Sequence, residues 1–155
     1  MKVPLFPSQT LPMLFDELFP PHIRVIAEPG RYFVCEAFTL IANVFAKRKV
    51  GNKDEFLYYI NEGVYQSFNC LFFDHVNLVP IVFGKKGRNE LYSSTLFGPT
   101  CDSLDCIAKG VLIPELDVGD WLYWKNMGAY TLAASSSFNG FKARPSIFYI
   151  QSNIL

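Results

Sequence analysis

An excess of charge of either sign is missing from this chain of 155 residues: Lys plus Arg number 14, Asp plus Glu number 14, and the formal net charge is zero. A general electrostatic grip on nucleic acid or anionic lipid is not expected, because that grip depends on a surplus of cations. No apolar run approaches the ~20 residues that a bilayer-spanning helix needs. The opening MKVPLFPSQTLPMLF places prolines where a secretory leader carries its continuous apolar stretch, so a cytoplasmic protein with no membrane partner is expected. Cysteine is sparse: the four, at 35, 70, 101 and 106, have neither CxxC spacing nor the density of a disulfide scaffold, which suits reduced thiols. The two histidines, His22 and His75, are far apart and pair with no cysteine cluster, so no metal site is expected.

What the chain does have is apolar and aromatic content, 50% and 16%, enough for one well-filled core. The stretch SQTLPMLFDELF predicts a helix, with Ser8 or Thr10 as cap and Leu11, Leu14, Phe15, Leu18 and Phe19 as its stripe; Pro20 and Pro21 end it. Ile23 to Ala27 predicts a short buried strand that stops at Glu28-Pro29-Gly30. VCEAFTLIANVFAKRK places Val34, Ala37, Phe38, Ile41 and Phe45 at helical spacing, with Lys47, Arg48 and Lys49 at the end, and predicts an amphipathic helix. From Glu55 the pattern changes to short apolar runs: FLYYIN, SFNCLFF, VPIVF, LYSSTLF, WLYWKN, AYTLAAS and SIFYIQ. Seven such runs predict a closed or nearly closed antiparallel β unit over 51–155, after a βα segment over 1–50 too small to close a sheet itself.

Four stretches carry groups with chemistry. EPGRY delivers Glu28, Gly30 and Arg31 at a strand end; Arg31 suits a phosphate if the strand closes an α/β barrel, and otherwise serves a surface ion pair. FFDHVN sets Asp74 and His75 where a carboxylate meets a cationic ligand or only accepts turn hydrogen bonds. In CDSLDC the thiol of Cys101 has two acids near it, Asp102 and Asp105, and no basic neighbour, which argues against a protease-type nucleophile. KNMGAYT puts Gly128 before Tyr130, which reads as core or as a ligand contact.

Taken in order, AEPGRYFVCEAFTLIANVFAK, YYINEGVYQSFN, FDH, LFGPTCDSLD, VGDWLYWKNMGAYT, SSFNGF and RPSIFYIQS resemble the C-terminal part of the eukaryotic ornithine decarboxylases, pyridoxal-phosphate enzymes of polyamine synthesis. The resemblance implies a mainly β fold: a Greek-key-like β-barrel domain preceded by the last βα segment of a TIM-type α/β barrel. It implies that Glu28 faces the cofactor's pyridine nitrogen, that Gly30, Arg31 and Tyr130 hold its phosphate, and that Phe138 walls the substrate pocket. Asp74 and Asp102 would bind the distal ammonium of ornithine, Asp102 from across a head-to-tail dimer. Cys101, also from across that dimer, would govern protonation of the decarboxylated substrate. Gly128 would lie at the subunit contact, where Asp105 would pair with Arg48, a position at which the family usually has lysine. The implied partners are a second copy or a full-length decarboxylase.

The family's Schiff-base lysine, its ring-stacking histidine and its glycine-rich phosphate loop lie upstream of the matched region, so the chain alone is expected to be inactive. Gln66 stands where the family favours glycine and Phe73 where it favours tyrosine. Two other readings stay open on these residues: a non-catalytic regulator like the antizyme inhibitors, and a decarboxylase of another basic amino acid.

Overall fold

The computed structural model describes residues 10–74, 76–84 and 90–150. Helix α1 spans Thr10–Leu18, α2 spans Gly30–Val34 and runs into a 3-10 turn at Cys35–Ala37, and α3 is the short Cys70–Phe73. The strands are β1 Leu40–Lys49, β2 Glu55–Ile60, β3 Ile81–Val82, β4 Tyr92–Phe97, β5 Cys106–Ile113 and β6 Trp121–Trp124. They form one sheet in the order β3-β6-β1-β2-β4-β5, which curls into a half-barrel and leaves β3 and β5 as edges.

The fold is mainly β, as expected, but several elements differ from their sequence expectations. Residues 40–49 form the strand β1, not the C-terminal half of a helix, and the buried set is Leu40, Ala42 and Val44 at a period of two. The residues at helical spacing, Phe38, Ile41 and Phe45, face outward. Hydrogen-bonded partners on both sides, β2 and β6, decide the matter, because a central strand satisfies its backbone twice over. The β unit therefore starts at Leu40, and the boundary expected after residue 50 falls inside the β1–β2 hairpin.

Ile23 to Ala27 forms no strand; Ile23, Val25 and Ile26 are exposed, with no strand paired to them among the described residues. SFNCLFF and AYTLAAS form turns and the one-turn α3, and SIFYIQ is unpaired over its described residues. Conversely, CIAKGVLI forms the strand β5. Its period is broken at Lys109-Gly110, where Gly110 takes a φ of 67° and the register with β4 shifts between Ser94↔Val111 and Leu96↔Ala108. That is a β-bulge, and it hides the alternation from the sequence pattern. The pairing is also mixed, since β2 and β4 run parallel, which corrects the expectation of a purely antiparallel unit.

The core gathers side chains from β1, β2, β4, β5 and β6. Tyr58, Ile60, Leu96, Leu122 and Trp124 are fully enclosed, and Phe68 meets Trp124 edge-on with ring centres 4.9 Å apart. Tyr58 stays polar-satisfied because its hydroxyl accepts the Leu116 N–H at 2.9 Å. Asn69, also buried, ties two loops to this core: its Nδ2 donates to the Val64 carbonyl at 2.7 Å and its Oδ1 accepts the Ala134 N–H at 2.8 Å. Among the described residues no helix is long and apolar enough to cross a membrane.

Candidate functional site

Two groups of side chains stand at the ends of loops that this core fixes. The first is built around Arg31. Short helix α2 lies against the loop 126–131, where Met127 N–H donates to the Phe38 carbonyl at 3.0 Å and Gly128 N–H to the Cys35 carbonyl at 3.1 Å. A Cβ at Gly128 would sit 1.7 Å from the Val34 carbonyl oxygen, so only glycine lets the two segments touch. Gly128 thus permits a close approach inside the chain. The loop then turns through Tyr130 at a φ of 60°, a left-handed conformation that costs a bulky residue energy.

The turn presents the Tyr130 ring to Arg31, whose guanidinium carbon is 4.9 Å from the ring centre. The same guanidinium pairs with Asp74, which follows α3. Both partners keep partial exposure, 29% and 24% of their side chains. Beside them opens a cavity of about 340 Å³ whose walls include Arg31, Cys35, Cys70, Lys125 and Met127. Burial, and then the nearby Asp74 carboxylate, pushes the Cys70 thiol up to about 11, so Cys70 is a neutral wall residue there. Glu28 is exposed on the unpaired segment before α2 and lies outside the walls of this cavity; Gly30, at the start of α2, has open space where a side chain would point. His75 lies outside the described residues.

The second group collects Tyr65, Cys101, Asp102, Phe138 and Asn139. Tyr65 donates its hydroxyl to the Asp102 carboxylate and stacks on Phe138 with ring centres 4.3 Å apart. Asp102 also accepts the Leu104 N–H at 2.9 Å. The Tyr65 hydroxyl, and after it the Leu104 amide, hold the Asp102 carboxyl below its ordinary range, which keeps it anionic. Asn139 donates its amide N–H to the Cys101 sulfur at 3.1 Å, and the thiol is exposed. Phe138, expected as a pocket wall, is thus brought to Asp102 through Tyr65.

Beneath this group lies Asp105. It has no exposed surface, and its carboxylate accepts the Val64 N–H at 2.8 Å, the Thr100 N–H at 3.0 Å and the Thr100 hydroxyl at 2.7 Å. Glycines at 63 and 98 make room for it, since a Cβ on either would lie 2.4 or 2.1 Å from its Oδ1. Asp105 makes these bonds within its own chain, and Arg48 is exposed near the end of β1. Tyr65 is the functional side chain that sequence reasoning passed over. Its signal was faint, an aromatic residue inside the polar turn VYQSFN.

The two groups differ in charge. In the first, Arg31 and Asp74 cancel; in the second, Asp102 keeps its charge because its partner is a neutral phenol. The first therefore suits an anion that can share the guanidinium fork, and the second suits a cation.

Against known proteins, the family model "Pyridoxal-dependent decarboxylase, C-terminal sheet domain" matches residues 16–128. The ornithine decarboxylase of Cricetulus griseus is 51% identical over 149 residues, covering 88% of this chain and 32% of the relative. Antizyme inhibitor 2 of Xenopus laevis is 54% identical over 134 residues, covering 79% of this chain and 29% of the relative. Among solved structures, a lysine/ornithine decarboxylase from Vibrio vulnificus complexed with cadaverine superposes with a TM-score of 0.71 at 40% identity, covering 83% of this chain and 34% of that one. The chain thus spans about a third of the length of the curated relatives it matches.

Proposed function

The chain belongs to the pyridoxal-dependent decarboxylases, of which it is the C-terminal sheet domain, and from that premise we propose that it is one portion of a divided ornithine decarboxylase site. The observation that carries this reading is the meeting of Arg31, Asp74 and Tyr130, from three separate segments, beside a cavity.

The donor set there fits the phosphate end of pyridoxal phosphate. Arg31 keeps guanidinium N–H groups beyond the one given to Asp74, Tyr130 is an exposed phenol next to it, and Gly30 leaves open space at the start of α2. When bound, the cofactor accepts the electrons released as carbon dioxide leaves an amino acid. Arg31 and Tyr130 orient the phosphate; Glu28, on the neighbouring segment, holds a proton at the pyridine nitrogen. No lysine of this chain stands in the motif that tethers the cofactor, so the tether comes from barrel polypeptide.

The Asp102 group serves a neighbouring subunit's site in a head-to-tail dimer. Its persistent negative charge holds the distal ammonium of ornithine, and Cys101 Sγ delivers a proton to the α-carbon that has lost carbon dioxide, which yields putrescine for polyamine synthesis in the cytoplasm. Exposed aromatic and aliphatic residues support a covering polypeptide: Phe33 is 71% exposed and Phe73 65%. The similarity to an antizyme inhibitor favours a second reading, a regulatory copy that pairs but does not turn over.

The purified chain, mixed with pyridoxal phosphate and ornithine, is expected to release no carbon dioxide and to develop no absorbance of a lysine-bound cofactor. Turnover by the pure chain contradicts the divided site.

A further inference from the structure

A second pocket, of about 280 Å³, shares no wall residue with the Arg31 cavity. Its floor is Glu62, just after β2, and Gln66 in the following turn; Pro99, Phe141, Lys142 and Arg144 complete it. Gln66 is 2% exposed and Glu62 9%, yet both amide atoms of Gln66 and Oε2 of Glu62 have no hydrogen-bond partner among the described residues. Buried polar atoms are ordinarily paired, so three such atoms on two residues that line one pocket mark a place for a polar guest. Burial pushes the Glu62 carboxyl up, while the Ser67 hydroxyl and amide, and after them Lys142, pull the other way. A donor arriving at Oε2 would restore its charged form.

We propose that this pocket binds a free α-amino acid, with the ligand's ammonium on Glu62, its carboxylate on Arg144 and Lys142, and the Gln66 amide bridging the two ends. The lining selects for that combination. Gln66 offers a donor and an acceptor together, which suits a ligand carrying both. A diamine meets two cations at the mouth, and a simple dicarboxylate meets Glu62 with nothing to donate to it. One carboxylate against two cations also favours a ligand of net charge −1, so an acidic amino acid binds best. Arg144 takes the carboxylate through its planar fork, and Lys142 adds a point charge.

The test follows the Gln66 side-chain amide signals of the isotope-labelled full chain by NMR. L-glutamate is the ligand, glutarate the same acid without its amine, and putrescine the diamine. The expected result is a saturable shift with L-glutamate, affinity at least tenfold weaker for glutarate and putrescine, and at least a tenfold loss in Arg144→Gln, whose thermal midpoint stays at the wild-type value because Arg144 is exposed. Equal affinity for glutarate, an Arg144→Gln chain that binds unchanged, or Gln66 signals that stay fixed at saturating L-glutamate each overturn the proposal. Because no cofactor enters the assay, its failure leaves the divided-site reading untouched.

Discussion

The Arg31 corner and the Asp102 corner are both acid-containing, aromatic-backed and set on loops, but they are held in opposite ways. At the Arg31 corner the fixing element is a backbone contact: Gly128 against the Val34 carbonyl, with Tyr130 in a left-handed turn. At the Asp102 corner it is a buried carboxylate, Asp105, that gathers the amides of both loops. The difference teaches where charge is free to act. Asp74 is cancelled by Arg31, whereas Asp105 takes the structural burden beneath Asp102 and leaves that carboxylate to a phenol.

Removing Asp105 should break the comparison most severely. Asp105→Ala strands the Val64 and Thr100 N–H groups in the interior, and we expect about 3 kcal/mol of lost stability, since bonds to a charged acceptor are the strong ones. Chemical denaturation measures it; a loss below ~1 kcal/mol would show that the loops hold without the carboxylate.

Gly128→Ala should come next, at about 2 kcal/mol, the scale of forcing a methyl into a packed contact. It should also change the Tyr130 environment, read as altered tyrosine fluorescence, while the Tyr65–Phe138 pair keeps its signals. A disturbance confined to the Asp102 corner would invert the assignment.

Tyr65→Phe should be mildest and should sharpen the charge argument. The Asp102 carboxyl is depressed in the folded chain, so its stabilising contribution is present above the unfolded carboxylate pKa of ~3.9 and is lost as pH falls through the lower folded value. Without the phenol, a carboxyl titration by NMR should place Asp102 closer to its ordinary range. An unmoved titration would assign the depression to the Leu104 amide instead.

Where sequence pattern and fold agree, the cause is local. The strands β2, β4 and β6 are short apolar runs bounded by turn residues, and α1 carries a helical stripe up to the prolines. Where they part, a partner decided. Residues 40–49 carry both a helical and a strand period, and only the flanking β2 and β6 choose between them. The strand β5 is masked by its bulge, and Ile23 to Ala27 reads as a strand but has no strand paired to it among the described residues.

The candidate site shows the same division. Arg31, Asp74 and Cys101 were visible as reactive residue types, and the family resemblance placed Asp102 and Tyr130. That Arg31 would cancel Asp74, or that Tyr65 would reach Asp102, depends on contacts between residues 43 and 37 positions apart, which no local spacing encodes.

The central claim is that Cys101 and Asp102 complete a site whose cofactor tether is on another polypeptide. It is tested most directly by mixing this chain with a full-length ornithine decarboxylase in which the cysteine matching Cys101 is replaced by alanine, and measuring carbon dioxide released from ornithine. The account predicts that activity, absent from either component alone, returns on mixing and is lost again when this chain carries Cys101→Ala. No recovery from a mixture shown to form the mixed dimer, or recovery undiminished by Cys101→Ala, would contradict it.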